Sequence, residues 1–419
     1  MVCDICIPPR HTVNEMLESD KPPVVASGSK GTPVALVRKP SVEPFHAMDV
    51  LAEATRLKAE GFDVISMAVG QPAHPAPAAA RRAAVAAIEV GRIGYTDALG
   101  TLRLRTAISD HYQRVYGIRP DPMRIAVTTG SSAGFNLAFL QLFSPGDHVA
   151  ISRPGYPAYR NILSALGLKV VEIPVGPQTG HALTPAAIEA VEQAQGIRIS
   201  GVLIASPANP TGAVTSRAAL KALDDWCAER GVAFISDEIY HGLTYSGGET
   251  TALAVSDRAV IINSFSKFYC MTGWRIGWMV LPPDLVRPVE CLAQSLYISP
   301  PELSQIAAEA ALGSEGEMEA VRDGYLRNRA LLATRLPDMG LPLAAPMDGA
   351  FYAWCDVSRH TNDSMSFARE MLAAIHVAAT PGRDFDPVDG ARYMRISYAG
   401  SHSDMVTALD RMQDWLTRR

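Results

Sequence analysis

Short apolar runs alternate with amphipathic stretches along the middle of the chain. β-Branched runs that predict strands are Asp63–Met67, Arg124–Thr128, His148–Ser152, Lys169–Ile173, Ile197–Ala205, Val232–Ser236, Val260–Asn263 and Ile276–Leu281. Stretches with apolar residues at helical spacing are Ala76–Gly91, Leu102–Tyr116, Ser131–Phe143, Pro185–Gln195 and Ser216–Glu229. Because strands that alternate with helices tend to pair in parallel, the pattern predicts an α/β fold. We expect a three-layer sandwich whose mostly parallel sheet has helices on both faces.

The pattern changes after about Pro283, where longer helical stretches replace the alternation. Further helices are predicted at Met48–Ala59, Glu302–Leu312 and Glu315–Arg335, and short strands at Ala350–Asp356 and Arg392–Ser397. A compositional break at Pro337–Pro346 indicates a second, smaller α+β domain built from the N- and C-terminal segments. We predict that residues 43–62 and 330–419 form this small domain and that residues 63–329 form the large one. Residues 1–42 lack periodicity and are predicted to be an N-terminal arm.

Composition excludes several classes of function. The chain has 419 residues and a formal net charge of −5, which argues against nucleic acid as the main partner. No run approaches the ~20 apolar residues that span a bilayer, and the N-terminus lacks the pattern of a secretory signal. Six scattered cysteines do not form a disulfide framework, so we expect a cytoplasmic protein. The Cys3-x-x-Cys6 spacing has no second pair to complete a zinc site, and no metal is expected.

One lysine has unusual surroundings in the sequence. Lys267 is the only lysine after Lys221, and it lies in an apolar run. Between Arg258 and Asp284, the only other charged residue is Arg275. Partial desolvation of an ammonium group lowers its pKa and favours the neutral, nucleophilic amine. The sequence therefore predicts a lysine suited to Schiff-base chemistry.

Polar side chains follow two of the predicted buried strands. Asp237 comes directly after the strand Val232–Ser236, and Tyr240 follows three residues later. Asn209 follows the strand Ile197–Ala205 in a turn that contains prolines and a glycine. Open α/β sheets bind ligands at the carboxyl ends of their strands. We therefore expect these three side chains to lie in one site.

Small residues open the helix that follows the strand Arg124–Thr128. Ser131 and Ser132 stand at its start, where free N–H groups and the helix dipole favour an anion such as phosphate. The segment Gly130–Gly134 also fits the G-x-S-x-G nucleophile elbow of an α/β serine hydrolase. In that alternative Ser132 is the nucleophile. Its partners would be Asp237 as the acid and His376 or His402 as the base.

A single ligand gives a role to more of these residues than a hydrolase does. A hydrolase leaves Lys267, Arg275 and Asn209 without a function. Pyridoxal phosphate has an aldehyde for Lys267, a ring nitrogen for Asp237, a phenolic oxygen for Tyr240 and Asn209, and a phosphate for Arg275, Ser264, Ser131 and Ser132. The sequence therefore favours a pyridoxal-phosphate site.

The order of these motifs resembles the class I/II aminotransferases, which are fold-type I pyridoxal-phosphate enzymes. The motifs are Asn209-Pro210-Thr211-Gly212, Asp237-x-x-Tyr240, Ser264-x-x-Lys267 and Arg275, within a match that extends from about Val64 to Arg395. The resemblance implies that Lys267 forms the internal aldimine and that Asp237 pairs with the pyridinium nitrogen. It also implies that Tyr240 and Asn209 bind the phenolic oxygen.

The resemblance assigns further residues to the cofactor and the substrate. It implies that Tyr156 stacks on the pyridine ring and that Arg395 grips the substrate α-carboxylate, which also faces the backbone of Gly70. Tyr95 resembles the tyrosine that reaches the phosphate of a neighbouring subunit, which implies a homodimer with shared active sites. Cys270 departs from the usual lysine signature. Gln294 aligns with an arginine found in dicarboxylate-selective members, so strict aspartate specificity is not expected.

The resemblance implies a ping-pong transfer of an amino group from an L-amino acid to a 2-oxo acid, in which Lys267 also carries the substrate proton. A carbon–sulfur or other β-lyase, or a synthase, stays open on the same scaffold, because fold and cofactor do not fix the reaction outcome. The serine hydrolase using Ser132 is the alternative from a different class.

Overall fold

The structure is a computed structural model that describes residues 42–246 and 248–419. Its strands are β1 (Ile65–Ser66), β2 (Ile125–Thr128), β3 (His148–Arg153), β4 (Lys169–Pro174), β5 (Ile199–Ala205), β6 (Ala233–Asp237), β7 (Val260–Ser264), β8 (Gly277–Val280), β9 (Tyr352–Asp356), β10 (Val377–Ala378), β11 (Thr380–Pro381) and β12 (Tyr393–Ser397). The central sheet has the order β2-β8-β7-β6-β5-β3-β4. Strand β8 is antiparallel to both neighbours, and the other pairings are parallel, which confirms the predicted mostly parallel sheet.

Helices cover both faces of the central sheet. The helices of the described residues are α1 (His46–Ala59), α2 (Ala78–Val90), α3 (Leu102–Tyr116), α4 (Ser131–Leu142), α5 (Pro157–Ala165), α6 (Pro185–Gln195), α7 (Arg217–Arg230), α8 (Pro283–Tyr297), α9 (Glu302–Ala311), α10 (Glu315–Asp338), α11 (Ser364–Ile375) and α12 (His402–Thr417). On β5, Val202 and Ile204 belong to the apolar cluster that includes α3, α6 and α7. Leu203 belongs to the cluster that includes α4, α5 and α8. Because successive strand residues point to opposite faces, both faces are buried, as the predicted three-layer α/β sandwich requires.

Several helices begin at the polar residues that their sequences favour. Side-chain oxygens cap the first turns of α3, α6, α7, α11 and α12, and the capping residues are Thr101, Thr184, Ser216, Asp363 and Ser401. Each accepts a hydrogen bond from an N–H group that has no partner within its own helix. Helix α1 differs, because its N-cap residue Phe45 makes no side-chain cap.

The described residues form two smaller sheets besides the central one. Strands β11, β12 and β9 form an antiparallel sheet, and β1 pairs in parallel with β10. The predicted boundary between residues 43–62 with 330–419 and residues 63–329 stays a prediction. The pairing of β1 with β10 joins the parts of the chain that this boundary separates. Residues 1–41, with most of the predicted arm and its Cys3-x-x-Cys6 spacing, lie outside the described residues. Within the part that is described, no helix is long and apolar enough to cross a membrane.

The carboxyl ends of β5 and β6 lie side by side in the sheet. Ala205 pairs with Asp237, and Asp237 pairs in turn with Ile262 of β7. The turn that holds Asn209 follows β5, and the segment that holds Lys267 follows β7. The fold therefore brings to one edge of the sheet the motifs that are far apart in the sequence.

Candidate active site

A cavity of about 210 Å³ lies at this edge of the sheet. Most residues that the sequence assigned to a cofactor or substrate line it: Gly70, Ser131, Ser132, Tyr156, Asn209, Asp237, Tyr240, Lys267, Arg275 and Arg395. They come from different strand ends, helix starts and loops, so the fold assembles them from distant segments. The structure does not bring Ser264 and Tyr95 to this cavity.

Lys267 lies partly buried in the cavity wall. Its Nζ donates a hydrogen bond to the Gly70 carbonyl oxygen at 2.8 Å. Burial, together with the positive charges of Arg395 and Arg275, lowers the pKa of the Lys267 ammonium to about 8, against the opposing charge of Asp237. A larger fraction of the amine is therefore neutral near pH 7 to 8 than for an ordinary lysine. This is the state that attacks a carbonyl carbon.

Asp237 presents a buried carboxylate at the end of β6. Its Oδ1 accepts from the Ile239 backbone N–H at 3.0 Å, and its Oδ2 accepts from the Tyr159 hydroxyl. Burial raises the pKa of the Asp237 carboxyl to about 6, against the opposing effect of these two hydrogen bonds. The group is mostly ionised at neutral pH, and an ionised carboxylate in a cavity favours a protonated nitrogen beside it.

The start of helix α4 and an arginine form a cradle for an anion. Gly130 has φ +82°, and a Cβ at this position would overlap the guanidinium of Arg275. Glycine therefore lets Arg275 lie against the backbone just before Ser131, where the helix begins. Positive charge, unpaired helix N–H groups and the hydroxyls of Ser131, Ser132 and Ser266 converge here. The arrangement suits a phosphate group.

The two serines before Lys267 have different environments. Ser264 is buried in the last position of β7, and its hydroxyl donates to the Ile276 carbonyl oxygen at 3.0 Å. Ser266 lines the cavity, and its Oγ lies 2.8 Å from Ser264 Oγ. Ser266, and not Ser264, therefore lines this cavity, and the phosphate contact assigned to Ser264 stays a prediction. The side chain of Tyr95 is also outside its own chain's cavity, because this residue is 83% exposed.

Arg395 is a buried arginine with an unsatisfied donor. Its Nη1 donates to Asn209 Oδ1 at 2.9 Å, and its Nη2 donates to the Ala68 carbonyl oxygen at 2.6 Å. The guanidinium carbon lies 4.3 Å from the centre of the Tyr352 ring and 4.6 Å from that of Phe385. Its buried Nε has no hydrogen-bond partner among the described residues. An arginine held between two rings with a spare donor is prepared for a carboxylate ligand.

Sequence reasoning missed several residues of this site. Tyr159 holds Asp237, and the Tyr352 hydroxyl lies 2.7 Å from that of Tyr240. Phe45, Ala47 and Met48 supply an apolar part of the cavity. Tyr159 could have been found from its spacing, because it lies three residues after Tyr156, one turn further along α5.

The serine hydrolase alternative is wrong, because the described residues place neither predicted histidine beside Ser132. Ser132 lines the cavity, but no histidine of residues 42–246 and 248–419 does so. His376 stacks on Phe62 with ring centres 4.7 Å apart, and His402 Nδ1 lies 2.8 Å from Asn328 Oδ1. Without a histidine beside it, the Ser132 hydroxyl is not activated.

The donor set fits pyridoxal 5′-phosphate. A buried amine of lowered pKa suits its aldehyde, a buried carboxylate suits its ring nitrogen, and the cradle at α4 suits its phosphate. These groups lie on an α/β sheet at the strand ends where such ligands bind. The fold and the site therefore define a pyridoxal-phosphate enzyme.

Comparison with known proteins identifies the family. The chain matches the aminotransferase class I and II family over residues 63–412. The valine–pyruvate aminotransferase of Mycobacterium tuberculosis is 48% identical over 382 residues, which cover 90% of this chain and 97% of that protein. A (5-formylfuran-3-yl)methyl phosphate transaminase of Methanocaldococcus jannaschii is 34% identical over 381 residues, 90% of this chain and 98% of that one.

A solved structure agrees with these matches. The crystal structure of an aminotransferase from Mycobacterium tuberculosis superimposes with a TM-score of 0.88 at 45% identity, covering 92% of this chain and 99% of that chain. The chain belongs to the class I and II aminotransferases. It is a pyridoxal-phosphate-dependent transaminase that transfers an amino group between an amino acid and a 2-oxo acid.

Proposed function

We propose that this transaminase takes a neutral aliphatic L-amino acid, with valine as the leading candidate, and passes its amino group to pyruvate. The similarity to a valine–pyruvate aminotransferase at 48% identity supports this donor and acceptor. The observation that carries the proposal is the composition of the cavity wall. Phe45, Ala47, Met48 and Val69 form an apolar part of it.

The charged groups of the cavity also favour a monocarboxylic substrate. Among the described residues that line it, the charged side chains are Asp237, Lys267, Arg275 and Arg395. Three of these have roles toward the cofactor in this proposal, and Arg395 remains for the α-carboxylate. This leaves no lining cation for a second carboxylate, so aspartate and glutamate would leave a buried charge unpaired. From the sequence, Gln294 aligns with an arginine found in dicarboxylate-selective members. An uncharged residue at this position agrees with a neutral donor.

Each residue of the site has a proposed role toward the cofactor. Lys267 holds it covalently, Asp237 keeps a proton on its ring nitrogen, and Tyr156 packs on its ring. Tyr240 and Asn209 donate to its phenolic oxygen, and Arg275 with the start of α4 binds its phosphate. When bound, the cofactor supplies a positively charged ring that accepts the electrons of the substrate Cα–H bond. The Asp237 carboxylate is mostly ionised at neutral pH and is oriented by Tyr159, and both properties support its role.

The remaining residues act on the substrate. Arg395 binds its α-carboxylate and orients the Cα–H bond, and the Gly70 backbone faces the same carboxylate. Lys267 Nζ takes the proton from the substrate Cα and delivers it to the carbon that receives the hydrogen. Its lowered pKa, about 8, supports this role, because a base near neutral pKa both accepts and returns a proton. The apolar wall excludes water from the reacting atoms.

The proposal also covers the oligomeric state and the cellular location. We infer a homodimer, because Tyr95 is 83% exposed although the family motif assigns it to a phosphate site. A partner subunit's cavity gives this exposed tyrosine a site to reach. We infer a cytoplasmic location, because the cysteines of the described segments, Cys227, Cys270, Cys291 and Cys355, are all free thiols. The cytoplasm is a reducing compartment, and such a compartment keeps cysteine thiols from forming disulfides.

The donor is tested by half-reactions on the purified enzyme with its cofactor. Amino acids are added singly, and conversion of the bound cofactor to its aminated form is followed by absorbance. We expect valine to convert the cofactor with a higher second-order rate constant than aspartate or glutamate. Pyruvate should then restore the spectrum and yield alanine. A preference for aspartate would contradict the donor class. Release of pyruvate and ammonia from an amino acid without any acceptor would instead indicate a lyase.

A further inference from the structure

The first turn of helix α1 is capped by a residue from the other end of the chain. Phe45, at the N-cap position, offers no side-chain acceptor. Asp384 Oδ1 accepts from the His46 N–H at 2.9 Å, and its Oδ2 accepts from the Ala47 N–H at 2.7 Å. Asp384 is 2% exposed, so a buried carboxylate satisfies two N–H groups that the helix itself leaves unpaired.

This first turn forms part of the cavity. Phe45, Ala47 and Met48 line it, and the Phe45 ring lies edge-on to the ring of Tyr156 at 6.1 Å between centres. The Met48 N–H donates to the Phe45 carbonyl oxygen at 2.8 Å, which closes the turn. A shift of the start of α1 would therefore move three apolar lining residues together.

Asp384 is itself held by groups around the site. Its carbonyl oxygen accepts from Arg160 Nη2 at 3.0 Å. The next residue, Phe385, accepts from the Gly155 N–H at 3.0 Å and places its ring 4.6 Å from the Arg395 guanidinium. The short segment 382–386 thus connects α1 to the turn before Tyr156 and to the arginine proposed to bind the α-carboxylate.

We propose that Asp384 is a positioning residue for substrate selection. By capping α1 across the chain, it holds the apolar turn Phe45–Met48 at a set distance from Arg395 and so determines which side-chain sizes fit. The proposal rests on the proposed function, because it needs Arg395 to hold the α-carboxylate and the turn to meet the side chain. Asp384 does not line the cavity, so its effect passes through the residues it holds.

The test compares Asp384→Ala and Asp384→Asn with a matched cap elsewhere. Asp363 caps α11 through the Met365 N–H at 3.0 Å and does not line the cavity, so Asp363→Ala removes a cap of the same residue type. The first readout is the ratio of kcat/KM for valine to that for alanine, with one acceptor. The second is hydrogen–deuterium exchange of a peptide that covers residues 43–52 in the cofactor-loaded enzyme.

We expect Asp384→Ala to lower the valine-to-alanine ratio about fivefold, as the loss of a helix cap of typical strength implies, chiefly through a higher KM for valine. Exchange of the 43–52 peptide should rise. Asp384→Asn keeps the shape of the side chain and one acceptor oxygen. Its valine-to-alanine ratio and its exchange should lie between those of the wild-type enzyme and Asp384→Ala. Asp363→Ala should leave both readouts at the wild-type values. If Asp384→Ala does not fold, the Asp384→Asn variant decides in the same way.

An unchanged ratio in a folded Asp384 variant would overturn the proposal, whether or not exchange rises. A changed ratio with unchanged exchange at residues 43–52 would also overturn it, because the effect would not pass through α1. Failure of the proposed function looks different, since the wild-type enzyme itself would then prefer other donors. In that event the ratio is measured for two accepted donors of unequal side-chain length, and the same outcomes decide.

Discussion

The Tyr159 hydroxyl donates a hydrogen bond to Oδ2 of Asp237, and both side chains are buried. Burial raises the pKa of the Asp237 carboxyl to about 6, and this bond keeps it from rising further. Asp237 therefore stays ionised at neutral pH partly because of Tyr159, although Tyr159 is not one of the motif residues. The relation leads to the first prediction.

Tyr159→Phe should shift the acid limb of the kcat profile toward higher pH. Loss of the donor raises the pKa of Asp237, so a larger fraction of the carboxyl is protonated at a given pH and no longer supports the ring-nitrogen proton. A hydrogen bond to a charged group is worth about 1.5–3 kcal/mol, so the acid limb should move by about one to two pH units and kcat near pH 7 should fall about twofold to fifteenfold. The pH profile of kcat with a saturating donor measures this. An acid limb at the wild-type position would contradict the assignment of Asp237.

Arg395→Lys should reduce kcat/KM for every amino-acid donor while cofactor binding is retained. A lysine has one ammonium group and loses the paired donors that match a carboxylate. Removal of one partner of a buried charge pair costs about 2–5 kcal/mol, so a loss of about 30-fold to 5000-fold is expected. Arg383→Lys, at an exposed position one residue before Asp384, is the control. Loss of cofactor absorbance in the Arg395→Lys protein would point to a role in holding the cofactor instead.

Gly70→Ala should destabilise the protein and lower its activity. A Cβ at Gly70 would overlap the hydroxyl of Tyr352, and the carbonyl oxygen of Gly70 accepts from Lys267. Overpacking of this kind costs about 1–3 kcal/mol. Gly316→Ala, in α10 with open space around it, is the control and should raise stability by up to about 1 kcal/mol through helix propensity. Thermal unfolding and kcat measure both variants. Equal stability of the two would show that Tyr352 moves without cost.

Much of the site could be predicted because its residues follow buried strands. Asp237 stands directly after one apolar run and Asn209 lies in the turn after another, and a parallel sheet brings the ends of such runs to one edge. The apolar surroundings of Lys267 indicated a lowered pKa, and the structure agrees. These are local properties of the chain, which explains why the sequence indicates them.

Other parts depend on contacts that a local pattern does not contain. The sequence predicted that a strand would end at Asn263, but β7 continues through Ser264, which pairs with Gly277 of β8. This pairing turns the Ser264 hydroxyl toward Ile276 and leaves Ser266 to face the cavity. Tyr352 comes from β9, far along the chain, and meets Tyr240 only after folding. The cap that Asp384 places on α1 spans 338 residues between its donor and acceptor.

Shared active sites predict complementation between two inactive variants. Lys267→Ala removes the amine from its own chain, and Tyr95→Ala removes the proposed contribution to the partner's site. In a mixed dimer, one site keeps both groups. Random association gives mixed dimers for half of the molecules, so about a quarter of the wild-type activity should return after co-refolding. Activity no higher than the sum of the two variants alone would contradict the shared site.

The central claim is that Lys267 is the amine that holds the cofactor. Borohydride reduction of the holoenzyme, followed by tryptic digestion and mass spectrometry, tests it directly. Trypsin does not cut after a modified lysine, so the cofactor mass should appear on a peptide that runs from Ala259 to Arg275 through Lys267. The account predicts this labelled peptide as the main product. A label on a peptide with any other lysine, or no label on a protein that retains transaminase activity, would contradict it.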